Sequence, residues 1–321
     1  MTLSENPVTD FSSPVTDQSS LVVALIGSNG MLAKMVQERA PQNYHLNLFD
    51  LPEFDMTDRA QVLQEMEHLQ PDIIVNCAAY TNVDGAENER ELAMKVNGTA
   101  VGFLAEAAVR TDATLVHIST DYVFDGTRVD PYKETDSTNP TSVYGQSKLL
   151  GEQSVMASGL TKHFIVRTSW LYGPGGSNFV ETIIRLAATR EDLRIIDDQI
   201  GSPTYTADLA DAIFNLLSLS DHRSPVTDHD PYGIYHFSNE GHCSWYEFAC
   251  AIVEEARASG LECKVSAIHP ICTEEYPLPA KRPANSMFDK SKYTAAPGAE
   301  IPEWRESLRD YMGSREKVAV M

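Results

Sequence analysis

The sequence predicts an α/β fold, a doubly wound parallel sheet followed by a smaller C-terminal substrate-binding region. Three observations predict it. Short, continuously apolar runs recur as strands buried on both faces would. Helical stretches alternate with them, as right-handed βαβ units require. A glycine-bearing turn joins the first apolar run to the first helix.

The elements follow in order. Ordered structure is expected from Leu21, after a leader over residues 1 to 20 that is rich in Ser, Thr, Pro and Asp and without an apolar h-region. Leu21–Ile26 reads as a strand and 31–39 as a helix; 45–49 and 72–76 read as strands around a helix over 59–69. A single helix is expected from Glu89 to Arg110, with Leu92, Val96, Leu104 and Ala108 at helical spacing. Strands at 114–118 and 163–167 flank a helix over 144–154. Beyond residue 170 the pattern loosens into a loop at 173–177, a helix at 179–190 and a short strand at 194–196. A polar loop at 221–230, a helix at 245–258 and a Pro-bearing loop at 280–285 follow. The division expected is a dinucleotide-binding part over 21–170 and a mainly substrate-binding part over 171–321, interleaved with the last sheet elements.

Composition narrows the function. The 321 residues carry 25 basic and 46 acidic side chains, a formal charge of -21. Such a surface repels phosphate backbones and argues against nucleic acid as a partner. No apolar run is long enough for a membrane helix. The five cysteines include no C-x-x-C pair, which points to a reduced, cytoplasmic chain without structural disulfides or a zinc site.

The turn Gly27-Ser-Asn-Gly30-Met31-Leu32-Ala33 has the order strand, glycine turn, helix. There a pyrophosphate can sit on the helix N-terminus, although two-glycine turns also occur in purely structural loops. Asp50 stands 23 positions after Gly27, where an acid accepts hydrogen bonds from ribose hydroxyls and disfavours a 2′-phosphate. NADH is therefore expected to be usable, with NADPH left open. Tyr144 and Lys148 share a helix face at i, i+4, so the ammonium is expected to lower the phenol pKa. Thr120, at the carboxyl end of the strand over 114–118, offers a hydroxyl to a substrate oxygen, or else only caps a turn.

These residues resemble the extended short-chain dehydrogenase/reductase family and, within it, the dTDP-4-dehydrorhamnose reductases. The likeness spans Leu21 to about Tyr311. It is carried by Pro71-Asp-Ile-Ile-Val-Asn-Cys-Ala-Ala-Tyr-Thr-Asn-Val-Asp84, His117-Ile-Ser-Thr-Asp-Tyr-Val-Phe124, Arg167-Thr-Ser-Trp-Leu-Tyr-Gly173, Asp198-Gln-Ile-Gly-Ser-Pro-Thr204 and Arg282-Pro-Ala-Asn-Ser286. The resemblance implies a Rossmann fold and reduction, by NADPH or NADH, of the C4 keto group of dTDP-4-dehydro-L-rhamnose. It assigns catalysis to Thr120, Tyr144 and Lys148. It assigns the cofactor to Gly27, Gly30, Met31, Leu32, Asp50, Asp55, Met56, Ala78, Ala79, Tyr80, Thr81, Tyr144 and Lys148. The sugar nucleotide falls to Thr120, Asp121, Trp170, Asn178, Gln199 and Arg282, although Trp170 also reads as core.

Magnesium dependence and homodimerisation vary within the family, and no carboxylate set here singles itself out as a magnesium site. Related dehydratases place an Asp-Glu pair after the strand-end Thr, whereas here Tyr122 follows Asp121 and cannot act as a carboxylate base. A nucleotide-sugar epimerase and a non-catalytic regulatory subunit, resembling the beta subunit of methionine adenosyltransferase, are the alternatives. The intact Thr120, Tyr144 and Lys148 speak against the latter.

Overall fold

The computed structural model describes residues 20–220 and 231–318, with side chains through Arg315. The expected leader, but for Ser20, and the expected loop at 221–230 lie outside these residues. Six parallel strands form the central sheet in the order β10-β5-β4-β3-β1-β2. They are β1 (Leu21–Ile26), β2 (Tyr44–Phe49), β3 (Ile73–Asn76), β4 (Thr114–Thr120), β5 (His163–Thr168) and β10 (Gly233–His236). Strand polarity follows position. β3 is buried at every residue, whereas β2, with Tyr44, His45 and Asn47, forms an edge.

Alternate residues of the strands feed two separate cores. Val23, Leu25, Val75, Val116 and Val166 face one side, against α1 (Met31–Arg39) and α8 (Thr206–Leu219). Ala24, Ile26, Ile74, Leu115 and Ile165 face the other, against α2 (Arg59–Leu69) and α5 (Ala100–Thr111). The strand order reverses at β1, between β2 and β3, so a crevice opens at the carboxyl ends of these strands.

The helix expected over 89–110 runs without interruption from Arg90 to Thr111, as α4 (Arg90–Met94), a π-helical turn at Lys95–Thr99 and α5, with the short α3 (Val83–Asn88) in front. Asn97, buried in that turn, explains its extra width. Its side chain accepts from Tyr80 N at 2.8 Å and donates to Tyr80 O at 3.0 Å and Ser147 Oγ at 3.0 Å. Keeping that side chain on the loop after β3 while Leu104 and Ala108 stay in the core requires a wider turn. Leu92, expected on the apolar face, is instead 46% exposed.

The second half builds a smaller layer. α6 (Val143–Ala157) precedes β5, and β6 (Leu171–Tyr172) pairs with β9 (Thr204–Tyr205). Helix α7 (Phe179–Thr189) packs on α9 (Trp245–Ala258), beside β7 (Asp192–Ile196) paired with β12 (Ala267–Ile271). β8 (Ile200–Gly201) pairs antiparallel with β11 (Cys243–Ser244). Helices α10 (Ser291–Thr294) and α11 (Trp304–Val318) complete the chain. The second half returns α8 and β10 to the central sheet. No described helix is long and apolar enough to cross a membrane.

Candidate active site

The crevice at the reversal point holds a cavity of about 830 Å³, running from the glycine turn to Tyr144 and Lys148. At one end Gly27 has φ +75, and a Cβ there would stand 2.6 Å from Ala78 N, so only glycine fits between β1 and the loop after β3. Gly30 caps α1 without a side-chain hydrogen bond, so no side chain covers the first N–H groups of that helix. An uncapped helix N-terminus behind a glycine turn fits a diphosphate. Asp50, the residue after β2, accepts from Asn29 N at 2.7 Å and Leu51 N at 2.8 Å, tying its strand to the turn. Asp55 accepts from the N and Oγ1 of Thr57, and these bonds hold its carboxyl below the usual range.

The wall of the cavity brings together Gly27, Gly30, Met31, Leu32, Asp50, Asp55, Met56, Ala78, Ala79, Thr81, Thr120, Asp121, Tyr144, Lys148 and Trp170. A larger depression of about 1110 Å³, between α1, α8 and α11, contains none of the expected site residues and mixes charges of both signs.

At the far end of the cavity, α6 presents Tyr144 and Lys148. Lys148 is buried, and its Nζ donates to Ile118 O of β4 at 2.6 Å. Here the structure corrects the sequence reading. The lysine does not lower the phenol; burial, helped by the Asp121 charge, pushes Tyr144 up to about 12. The ammonium is committed to the β4 carbonyl, and the phenol is packed edge-on against Tyr122 at 5.4 Å between ring centres. A phenol held this high keeps its proton at neutral pH.

Thr120 closes β4 and donates its hydroxyl to Asp121 Oδ1 at 2.9 Å, while Ser286 donates to the other carboxylate oxygen. Burial pushes Asp121 up to about 6. Thr120 also accepts from Tyr122 N at 3.3 Å, so it does cap a turn, in addition to lining the cavity.

Trp170 has a left-handed backbone, φ +48, rare for a bulky side chain. It is held there by stacking on Trp245 at 3.5 Å and by Gly201, where a Cβ would stand 2.6 Å from the indole. It packs against the core and lines the cavity.

Four expected residues do not line the cavity. The Tyr80 hydroxyl donates to Glu89 at 2.5 Å, and only the backbone of Tyr80 serves the site, through Asn97. Asn178 caps α7, accepting from Glu181 N at 3.0 Å. Gln199 is buried and donates to Thr273 Oγ1 at 3.1 Å. Arg282 forms a two-point ion pair with Asp84, at 3.0 and 2.8 Å.

Sequence reasoning missed Asp84, Asn97, Ser286 and Trp245 as supporting residues. Asp84 and Ser286 lie within the quoted phrases, but nothing in a phrase says which side chain faces which. Among the described residues, the trio Asp198, Cys272 and Glu274 could meet at a metal ion. All three are exposed and outside the cavity, and Thr273 already occupies the Asp198 carboxylate.

A parallel sheet with a glycine turn at its reversal point, and a Tyr/Lys helix beside a strand-end threonine, define an oxidoreductase of the extended short-chain dehydrogenase/reductase class. Comparison with known proteins narrows this. The sequence model of the RmlD substrate binding domain matches residues 21–316. The spore coat polysaccharide biosynthesis protein SpsK of Bacillus subtilis (strain 168) is 44% identical over 295 residues, 91% of this chain and 97% of that protein. The dTDP-4-dehydrorhamnose reductase of Aggregatibacter actinomycetemcomitans is 40% identical over 288 residues, covering 89% and 96%. The crystal structure of the Bacillus anthracis str. Ames dTDP-4-dehydrorhamnose reductase in complex with NADP superposes with a TM-score of 0.84 at 42% identity, covering 92% and 99%. The chain belongs to the dTDP-4-dehydrorhamnose reductase family.

Proposed function

We propose that this chain reduces the C4 keto group of dTDP-4-dehydro-L-rhamnose to give dTDP-L-rhamnose. One observation carries the reading: Thr120, Tyr144 and Lys148 converge at one end of a cavity whose other end is the glycine turn of β1. A reduced nicotinamide dinucleotide, when bound, supplies the hydride that forms the new C–H bond at C4. The Gly27 turn and the uncapped N-terminus of α1 would hold its diphosphate, and Asp50 would serve the adenosine ribose.

Tyr144 gives its proton to O4 as the carbonyl π bond opens, and the phenolate left behind regains a proton from solvent. Because the phenol stays protonated at neutral pH, it is ready for donation. Lys148, its ammonium anchored on Ile118 O, would meet the nicotinamide ribose, and Thr120 orients the sugar oxygen. Asp121 and Trp170 meet the sugar. Arg282, Asn178 and Gln199 serve the nucleotide end only if their present protein partners release them.

Neighbouring chemistry is disfavoured by Tyr122, whose buried phenol is held above its usual range and cannot replace a dehydratase's carboxylate. A regulatory subunit has no need of the converging Thr120, Tyr144 and Lys148. The acid at Asp50 favours NADH, while the Bacillus anthracis relative was crystallised with NADP. Both dinucleotides are therefore tested.

The experiment follows the loss of reduced-nicotinamide absorbance with dTDP-4-dehydro-L-rhamnose and each dinucleotide. Tyr144→Phe should lower kcat by about 10²- to 10³-fold and leave dinucleotide binding within about twofold of the wild type. Near-wild-type turnover by Tyr144→Phe would remove the tyrosine from the mechanism.

A further inference from the structure

Helix α6 continues from Lys148 to a third polar residue on the same face, Glu152, four positions on. Its side chain is 0% exposed, and that of its partner Arg167, on β5, is 3% exposed. Arg167 grips the carboxylate twice, Nε to Oε1 at 2.9 Å and Nη2 to Oε2 at 2.7 Å. Ser119, the residue before Thr120, donates its hydroxyl to Oε1 at 2.5 Å. The guanidinium lies 5.1 Å from the centre of the Phe124 ring, with Nη1 3.5 Å from His236 Nε2.

Stability alone does not call for this pair. Desolvating two charges offsets their attraction, and an apolar pair of similar volume holds a helix to a sheet equally well. Its location is what is informative. One carboxylate joins the helix bearing Tyr144 and Lys148 to the strand end bearing Thr120, one helical turn from a buried ammonium.

We propose that the Glu152–Arg167 pair is a positioning device for the reduction, in which the Glu152 carboxylate keeps Lys148 charged and in place and Arg167 fixes that carboxylate. The role rests on the reduction proposed above. Burial drives the Lys148 ammonium down to about 8, and Glu152 is the foremost group opposing that fall. The other titratable neighbours contribute little charge of their own. Tyr144, on the same helix, stays protonated. The Cys77 thiol, beyond β3, is pushed up to about 12 by burial. His117, on β4, is kept neutral by burial and by the Lys148 charge. Arg167 is spent on the Glu152 carboxylate.

The test is the pH profile of kcat/KM for the wild type, Glu152→Gln, Glu152→Asp, and the double variant Glu152→Gln with Arg167→Met. The double variant leaves no guanidinium stranded without its carboxylate, so it should fold better than Glu152→Gln alone. In the wild type, activity should fall as pH rises through about 8 and Lys148 loses its proton. Without the carboxylate, this alkaline limb should move down by about one unit. The double variant would then match the wild type near pH 6 and lose about fivefold at pH 8 and roughly tenfold at pH 9.

A purely structural pair predicts otherwise, a uniform loss or full recovery with the limb unmoved, and either result overturns the proposal. Should the double variant fail to fold, the single variants decide. Glu152→Asp keeps the charge and should keep the wild-type limb while Glu152→Gln shifts it; equal limbs overturn the proposal. A wild-type limb beyond pH 10 overturns it without any variant. Absence of wild-type turnover instead removes the reading of the site as a whole, which separates the two failures.

Discussion

At the scale of single residues, the site is governed by burial acting on charge. Asp121 sits among hydroxyls rather than cations, and burial raises its folded pKa from 3.8 to about 6. A carboxylic acid whose pKa is raised on folding stabilises the fold while it is protonated, and that contribution is lost as pH rises from about 4 to about 6. Above that window the buried charge costs up to about 3 kcal/mol. Asp121→Asn is therefore expected to melt higher than the wild type at pH 8 and equally at pH 4, whatever it does to turnover. Thermal melts at the two pH values check this, and a variant less stable at pH 8 than at pH 4, relative to the wild type, would refute it.

The same scale shows what the sequence could not. Tyr144 and Lys148 were legible from their spacing, but the direction of the tyrosine shift was not. It depends on where the ammonium points, and Lys148 points to Ile118 O. Asn178 and Arg282 were assigned to the sugar nucleotide by the resemblance, yet their atoms are spent on a helix cap and on Asp84.

At the scale of elements, the contact between α6 and the π-helical turn sets the geometry of the site. Gly151 of α6 lies against that turn, and a Cβ there would stand 2.3 Å from Asn97 O, a backbone atom with little freedom to move. Gly151→Ala should cost about 2 kcal/mol by overpacking and displace Tyr144 with its helix. Urea unfolding measures the first effect and kcat the second; a variant as stable as the wild type would mean that the helix shifts without strain.

Which elements were legible follows from their environment. β1, β3 and β5 are apolar because helices cover both faces of the sheet, and their runs stand out. Helix α8 escaped because nine of its fourteen residues are buried, which erases the alternation that marks an amphipathic helix. Helix α11 did leave a signal, with Trp304, Leu308, Tyr311 and Met312 buried at helical spacing, and that signal was overlooked. The π-helical turn was not readable at all, since its cause is a side chain bonding to a loop seventeen residues away.

At the scale of the whole molecule, the charge of -21 acts on the fold as well as on partners. Crowded acidic groups repel one another, and the repulsion is stronger in the compact state than in the expanded one. Salt screens it over about 10 Å at 0.1 M. The melting temperature should therefore rise by several degrees between low salt and about 0.5 M sodium chloride. Calorimetry in the two buffers tests this, and an unchanged or lower melting temperature would show that the surface ion pairs outweigh the repulsion. Fold class and the succession of elements in the N-terminal half came from local pattern, whereas the return of α8 and β10 to the sheet is a long-range event that no local pattern encodes.

The chain has three tryptophans, and two of them, Trp170 on the wall of the cavity and Trp245 behind it, lie face to face at 3.5 Å and 11°. Indoles that close share their electronic excitation, so the pair should give a two-signed band in near-ultraviolet circular dichroism and a weak, self-quenched emission. Trp304, buried apart from them, supplies a steady background. The protein thus carries an optical gauge of its own cavity, readable during a titration without any added label.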